Sequence, residues 1–141
     1  MHWNISGRWG LNDKFQSGKM TRIISPYHNK KMWFKGCLHT HTSNSDGLLS
    51  PKEHIKYYKK CGFDFICITD HEQITNTDSY NTKDFVTIPG GEFGGVVGIG
   101  INKKIKSTWR NMDRQLAEVK EQDGIAVVAH PHWSSLSIEE I

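Results

Sequence analysis

The chain has no apolar run near the ~20 residues needed to cross a bilayer as a helix. This excludes a spanning segment of that kind. The start, Met1-His2-Trp3-Asn4-Ile5-Ser6-Gly7-Arg8, lacks the apolar centre of a secretory signal. A cytoplasmic protein with no membrane attachment is the expectation. Cysteine is scarce: Cys37, Cys61 and Cys67 are odd in number and show no paired spacing. A disulfide framework is not expected, and a reducing compartment fits. Cys37 and Cys67 lie in apolar, strand-like runs and read as packing residues. Acid is sparse at the start, where residues 1–35 hold seven Lys or Arg and only Asp13. The remainder holds eleven Lys or Arg and fourteen Asp or Glu, so the net charge of +3 hides an asymmetry. A basic leader can attract phosphate-bearing partners, although a solvated leader is the simpler reading. No ordered basic-aromatic repeat points to nucleic-acid recognition.

What is present is an alternation of strand and helix signals. Residues 1–31 show no clear period and read as a leader segment. From Met32 to His39 the pattern predicts a strand. Ser50-Pro51-Lys52-Glu53 then opens a helix, with Ser50 as N-cap, Pro51 in the first turn and Glu53 closing a capping box. It runs to about Cys61, with Gly62 as its stop. Asp64–Thr69 reads as a buried parallel strand. Phe85–Ile88 and Val96–Ile101 read as two further strands. A second helix is expected from Ser107 or Thr108 to about Asp123, followed by a buried strand, Ile125–Ala129. This order indicates an α/β fold with a parallel sheet or barrel. Ser137-Ile138-Glu139-Glu140 has the form of another capping box, so a further helix and a longer natural domain are expected.

The metal-competent side chains fall at the ends of these strands. His39 and His41 follow the first, Asp70 and His71 the second, Glu92 the third by a few residues, and His130 the last. In parallel α/β folds, active sites form at that edge. Side chains two apart on a strand point the same way, so His39 and His41 can reach one ion. By the same parity Cys37 is a conceivable ligand, ranked well below packing. Asp46 can fold back over the edge, and a carboxylate such as Glu92, flanked by glycines, can bridge two ions. Each signal alone is weak. A single His-x-His is common, Ser45-Asp46-Gly47 and Gly90-Gly91-Glu92 read as turns, and His130-Pro131-His132 reads as a rigid turn. Their coincidence at equivalent strand ends is what carries weight. Mixed nitrogen and oxygen ligands suit Mn, Zn or Fe rather than calcium.

From about Trp33 onward the chain resembles the PHP (polymerase and histidinol phosphatase) family. The resemblance rests on Gly36-Cys37-Leu38-His39-Thr40-His41-Thr42, Ser45-Asp46-Gly47, Ile68-Thr69-Asp70-His71, Pro89-Gly90-Gly91-Glu92 and Val128-Ala129-His130-Pro131. It implies a distorted seven-stranded β/α barrel, of which residues 32–141 are the N-terminal portion. It implies two or three divalent ions and phosphoester hydrolysis by activated water. His39, His41, Asp46, His71, Glu92 and His130 match family ligand positions, with Glu92 as the bridge. Glu92, Asp70 and His132 are the candidate catalytic residues: Asp70 orients a neighbouring ligand, and His132 faces substrate. The expected substrate is a phosphorylated small molecule or a nucleotide, with nucleic acid entering only as substrate. Lys103, Lys104, Lys106 and Arg110 are candidate phosphate-binding cations by chemistry. Two departures stand out. No His lies between His71 and His130, and no C-terminal Asp-x-His pair occurs. The alternative is therefore a truncated or degenerate PHP fold that binds metal or phosphate without catalysis.

Overall fold

The computed structural model describes residues 32–107, 111–133 and 135–140. The chain divides into two units, Met1–Met32 and Trp33–Ile141, and the second is the subject here. The expected leader, 1–31, and Arg110 lie outside the described residues.

Among its described residues, the second unit has one five-stranded sheet and two α-helices. Strand β1 is Gly36–Cys37, helix α1 Pro51–Lys60, and strand β2 Phe65–Ile68. Strand β3 is Val86–Phe93, β4 Val96–Ile99, helix α2 Met112–Lys120, and β5 Ile125–Val128. The spatial order is β1-β2-β3-β4-β5. β1, β2 and β3 are parallel, whereas β4 is antiparallel to both β3 and β5. The sheet is therefore mixed, not wholly parallel, and curves as a half-barrel. Because β4 reverses twice, β5 runs with β3, and four strands end on one edge.

Helix α1 forms as its sequence predicts. Ser50 Oγ accepts from Glu53 N–H at 3.4 Å, and Glu53 Oε2 accepts from Ser50 N–H at 3.1 Å. Both orphan donors are thus satisfied. Gly62 leaves the helix at φ +74°, a backbone region that costs glycine little. Helix α2 starts later than expected, at Met112, because Asn111 Oδ1 caps Arg114 N–H at 3.1 Å. Asp123, at φ +56°, turns the chain ahead of Gly124.

Other features differ from the sequence reading. The first strand is only Gly36–Cys37. Upstream, the Asp64 carboxylate takes the Lys35 N–H at 2.6 Å, while the Lys35 carbonyl still accepts from Asp64 N–H at 2.7 Å. Downstream the chain bends at Leu38. The third strand is longer than expected and contains Glu92. Gly90 and Gly91 are not a turn but close-packing sites in a central strand. A Cβ on Gly90 would stand 2.6 Å from the Gly98 carbonyl oxygen. The turn comes at Gly94-Gly95, both at positive φ, as a two-residue hairpin requires. Finally, β5 is an edge strand and not buried on both faces: Ile125 is 65% exposed. The expected last helix is a 3₁₀ turn, Ile138–Glu140.

Packing follows the two faces of the sheet. Ile66 and Ile68 point to α1 and meet Ile55 and Phe85, with Tyr58 and Phe63 around them. Phe93 and Val96 meet Val119 of α2 along with Ile101 and Ile105. The opposite face carries Cys67, Val97, Ile99 and Ala129. Each fully buried aliphatic side chain contributes about 1.5–3 kcal/mol. Among the described residues no helix is long and apolar enough to cross a membrane.

Candidate metal centre

The shared edge gathers imidazoles around one carboxylate. Glu92, near the end of β3, is 2% exposed. It is fixed by main-chain bonds to its neighbour on the β2 side. Its N–H donates to Asp70 O at 3.1 Å, and its carbonyl accepts from Glu72 N–H at 2.8 Å. This pairing places His71 beside Glu92.

Glu92 Oε2 lies 3.2 Å from His41 Nε2, 3.5 Å from His39 Nε2 and 3.6 Å from His71 Nδ1. Glu92 Oε1 lies 3.1 Å from His130 Nε2. Asp46 joins from the loop after β1, with its carboxylate 3.4 Å from His41 Nδ1 and 3.5 Å from His71 Nε2. Two groups of potential ligand atoms result: His39, Glu92 and His130, and His41, His71 and Glu92. Glu92 is common to both.

The chemistry of this set fits divalent ions. Glu92 Oε2 is buried and has no hydrogen-bond partner among the described residues, although three imidazole nitrogens converge on it. A buried carboxylate oxygen without a hydrogen bond is costly unless something else neutralises it. The nitrogens stand in contact distance without the alignment of donors, as ligands of a shared ion would. Burial lowers the His39 pKa, against the raising influence of Glu92, which favours the neutral, ligating form. The Asp46 carboxyl is held below the usual range. Desolvation opposes this, but the Ser45 hydroxyl and the charges of His41 and His71 together outweigh it.

Asp70 does not enter either group. It is fully buried and accepts from Thr42 N–H at 2.6 Å, Thr42 Oγ1 at 2.8 Å and Ser45 Oγ at 2.9 Å. The Thr75 hydroxyl donates to it as well. It therefore ties down the loop that carries His41 and Asp46. Burial works to raise its pKa, but these hydrogen bonds prevail and hold it low. His132 sits exposed in the turn after His130, outside both groups. Cys37 faces Ile66 and Tyr58 on the α1 side, because the bend at Leu38 breaks its parity with His39. His39 and His41 accordingly belong to an irregular segment beyond β1, not to the strand itself.

Sequence patterning does not single out the hydroxyls that hold this site. Thr69 Oγ1 sits 2.7 Å from His39 Nδ1, which leaves Nε2 directed at Glu92. The signal available was the interleaving of threonine with histidine in 38–42 and 68–71: short hydroxyls are apt partners for buried backbone and ring nitrogens.

A model of the PHP domain matches residues 38–122. The chain belongs to the PHP domain family. PHP domains are typically metal-dependent phosphoesterases. Among solved structures, the chain is similar to a two-domain protein from Bacteroides vulgatus that contains a predicted PHP-like metal-dependent phosphoesterase. The TM-score is 0.55 at 20% identity, over 74% of this chain and 37% of that one. At that identity the likeness speaks for the fold: a partial PHP-type barrel. The chain spans little more than a third of that neighbour's length. No curated protein matches the chain. The half-barrel is thus that of a PHP domain. A cavity of about 550 Å³ at the opposite ends of β2 and β3, lined by Phe34, Phe65 and Phe85, is remote from this chemistry.

Proposed function

We propose that this PHP domain hydrolyses phosphate esters at a cluster of divalent ions held by His39, His41, Asp46, His71, Glu92 and His130. The observation that carries the reading is Glu92: one buried carboxylate shared by two ligand groups, with Oε2 lacking any hydrogen bond among the described residues. Mn, Zn or Fe suits the donor set of imidazole and carboxylate. Such ions activate water near neutral pH and neutralise charge growing on phosphoryl oxygens. The chain's own part is positional. Glu92 would be shared between the ions, His39 and His130 would hold one, His41 and His71 the other, and Asp46 lies beside His41 and His71 from the loop after β1. Asp70 holds the Thr42–Asp46 loop in that position. Lys104 is the rim cation best supported: its Nζ lies 3.3 Å from Glu72, the residue after His71. The substrate class is a phosphorylated small molecule or nucleotide, and three free thiols suit a cytoplasmic setting.

The test joins metal content to turnover. Mn, Fe and Zn are counted per monomer, and an aryl phosphate is assayed with His39→Ala as control. Stoichiometric metal with turnover well above the control supports the reading. Metal without turnover supports a non-catalytic metal- or phosphate-binding PHP fold instead. No metal and no turnover above the control removes the hydrolase reading.

A further inference from the structure

His54, on α1, belongs to neither ligand group. Its half-buried ring reaches across to the segment between the two histidines, where His54 Nε2 and Thr40 Oγ1 share a hydrogen bond of 2.6 Å. Tyr58, one turn later, packs on the His54 ring with centroids 4.9 Å apart. The Tyr58 hydroxyl lies 3.5 Å from Thr40 Oγ1 and donates to Cys37 Sγ at 3.7 Å. Thr40 is itself buried. From the β2 side, Thr69 grips the same residue: Thr69 N–H donates to Thr40 O at 2.9 Å, and Thr40 N–H donates to Thr69 Oγ1 at 3.1 Å.

This arrangement matters because β1 ends at Cys37. Beyond that point the ladder no longer dictates side-chain direction. Thr40 is the pivot between His39 and His41, whose rings stand 4.8 Å apart at 74°. A rotation at Thr40 swings both rings relative to Glu92. Thr69 fixes the pivot's main chain, and His54 fixes its side chain from a helix that is rigidly capped.

We propose that His54 is a positioning residue of the metal centre, acting through Thr40 to set how His39 and His41 present to Glu92. The inference rests on the metal-centre reading above. Bonds of this kind behind a ligand typically change metal affinity 10–100-fold when removed. The bland role, a satisfied histidine in a helix–sheet seam, would affect stability alone.

The experiment compares wild type with His54→Leu, His54→Gln and Thr40→Val. Glutamine keeps a polar group at about the reach of Nε2; leucine does not. Manganese dissociation constants are measured by titration calorimetry, and ring ¹H–¹³C signals of His39 and His41 are recorded in metal-free protein. His54→Leu and Thr40→Val are each expected to weaken manganese binding about 10–100-fold. The double variant should be no worse than the weaker single one, because both remove one bond. His54→Gln should stay near wild type. In metal-free protein the His39 and His41 signals should shift and broaden in His54→Leu and return in His54→Gln. The ring signals separate the two claims. If wild type binds neither manganese nor zinc nor iron, the metal reading fails, while a shift of both signals still upholds the positioning. Signals that overlay those of wild type in folded His54→Leu overturn the positioning, whatever the metal binding. If His54→Leu does not fold, Thr40→Val decides by the same two measurements.

Discussion

Glu92 meets His130 through Oε1, at 3.1 Å, and turns Oε2 to His39, His41 and His71. The division of one carboxylate between two groups makes a sharp prediction for Glu92→Gln. The amide loses the charge that draws the ions, so metal content per monomer should fall by at least half and metal should no longer raise the melting temperature. The metal-free variant should be at least as stable as metal-free wild type, because a buried oxygen without a hydrogen bond has lost its charge. Metal analysis and thermal melts with and without manganese check both. A variant that melts much lower without metal would show Glu92 to be a structural anchor.

Asp70→Asn should act on stability rather than through lost coordination. Four hydrogen bonds converge on that carboxylate from Thr42, Ser45 and Thr75. An amide offers one acceptor oxygen and presents a donor to hydroxyls already placed as donors. A loss of roughly 2–3 kcal/mol is expected from charged, buried hydrogen bonds. Urea unfolding of the metal-free variant measures it; a change within error would mean that the loop is held by other contacts.

Glycine positions separate packing from backbone freedom. Gly90→Ala would bring a methyl within 2.6 Å of the Gly98 carbonyl and 2.8 Å of Cys67 Sγ. Gly62→Ala meets nothing within 4 Å, though its φ is +74°. The first should cost about 1–3 kcal/mol through overpacking and disturb the strand that carries Glu92. The second should cost about 1–2 kcal/mol, the strain of left-handed backbone, and leave metal binding unchanged. Unfolding curves alongside metal titrations distinguish them.

The free thiols offer a test of burial. Burial pushes the Cys67 pKa up to about 12, whereas Cys61 is exposed. Iodoacetamide at pH 8 should label Cys61 quickly and reach Cys67 only in denaturant. Peptide mass spectrometry reads the order, and early labelling of Cys67 would contradict the packing of the inner face.

Stability should also depend on pH. Burial lowers the pKa of His54, opposed by the Asp70 charge, and burial lowers that of His39, opposed by Glu92. Both folded values lie below the unfolded value of 6.5. The unfolded chain therefore binds more protons, and stability falls as pH drops through about 6.5. Urea midpoints of metal-free protein between pH 7.5 and 5.5 should show this fall, and His54→Gln should flatten it. A slope unchanged in His54→Gln would remove His54 from the account.

Local signals were legible in the sequence where they act locally. The capping box at Ser50 and Glu53 sets α1 without help from the rest of the fold, and it formed as read. The identity of the strand-end residues was legible too, because His39, His71, Glu92 and His130 each follow or finish an apolar run. What sequence could not supply was the reason for Gly90 and Gly91. Their neighbours, Gly98, Cys67 and Gln73, are distant in the chain, and only the folded sheet shows that a side chain would collide. The same holds for Asp123, whose left-handed turn displaces the stop expected at Gly124. His54 carried no motif at all; its meaning comes from facing Thr40 across the seam between helix and sheet.

The hairpin at Gly94-Gly95 gives the centre an unusual sensitivity to strand alignment. Neighbouring residues on a strand face opposite sides of the sheet, so a slip of one position in β3 would send Glu92 toward α2 and bring Phe93 among the imidazoles. The two glycines fix where the chain reverses and thereby set which residue of β3 faces the histidines. Occupancy of the centre by metal would then serve as a proofreading signal for the sheet: only the correctly registered chain is rewarded with the ion.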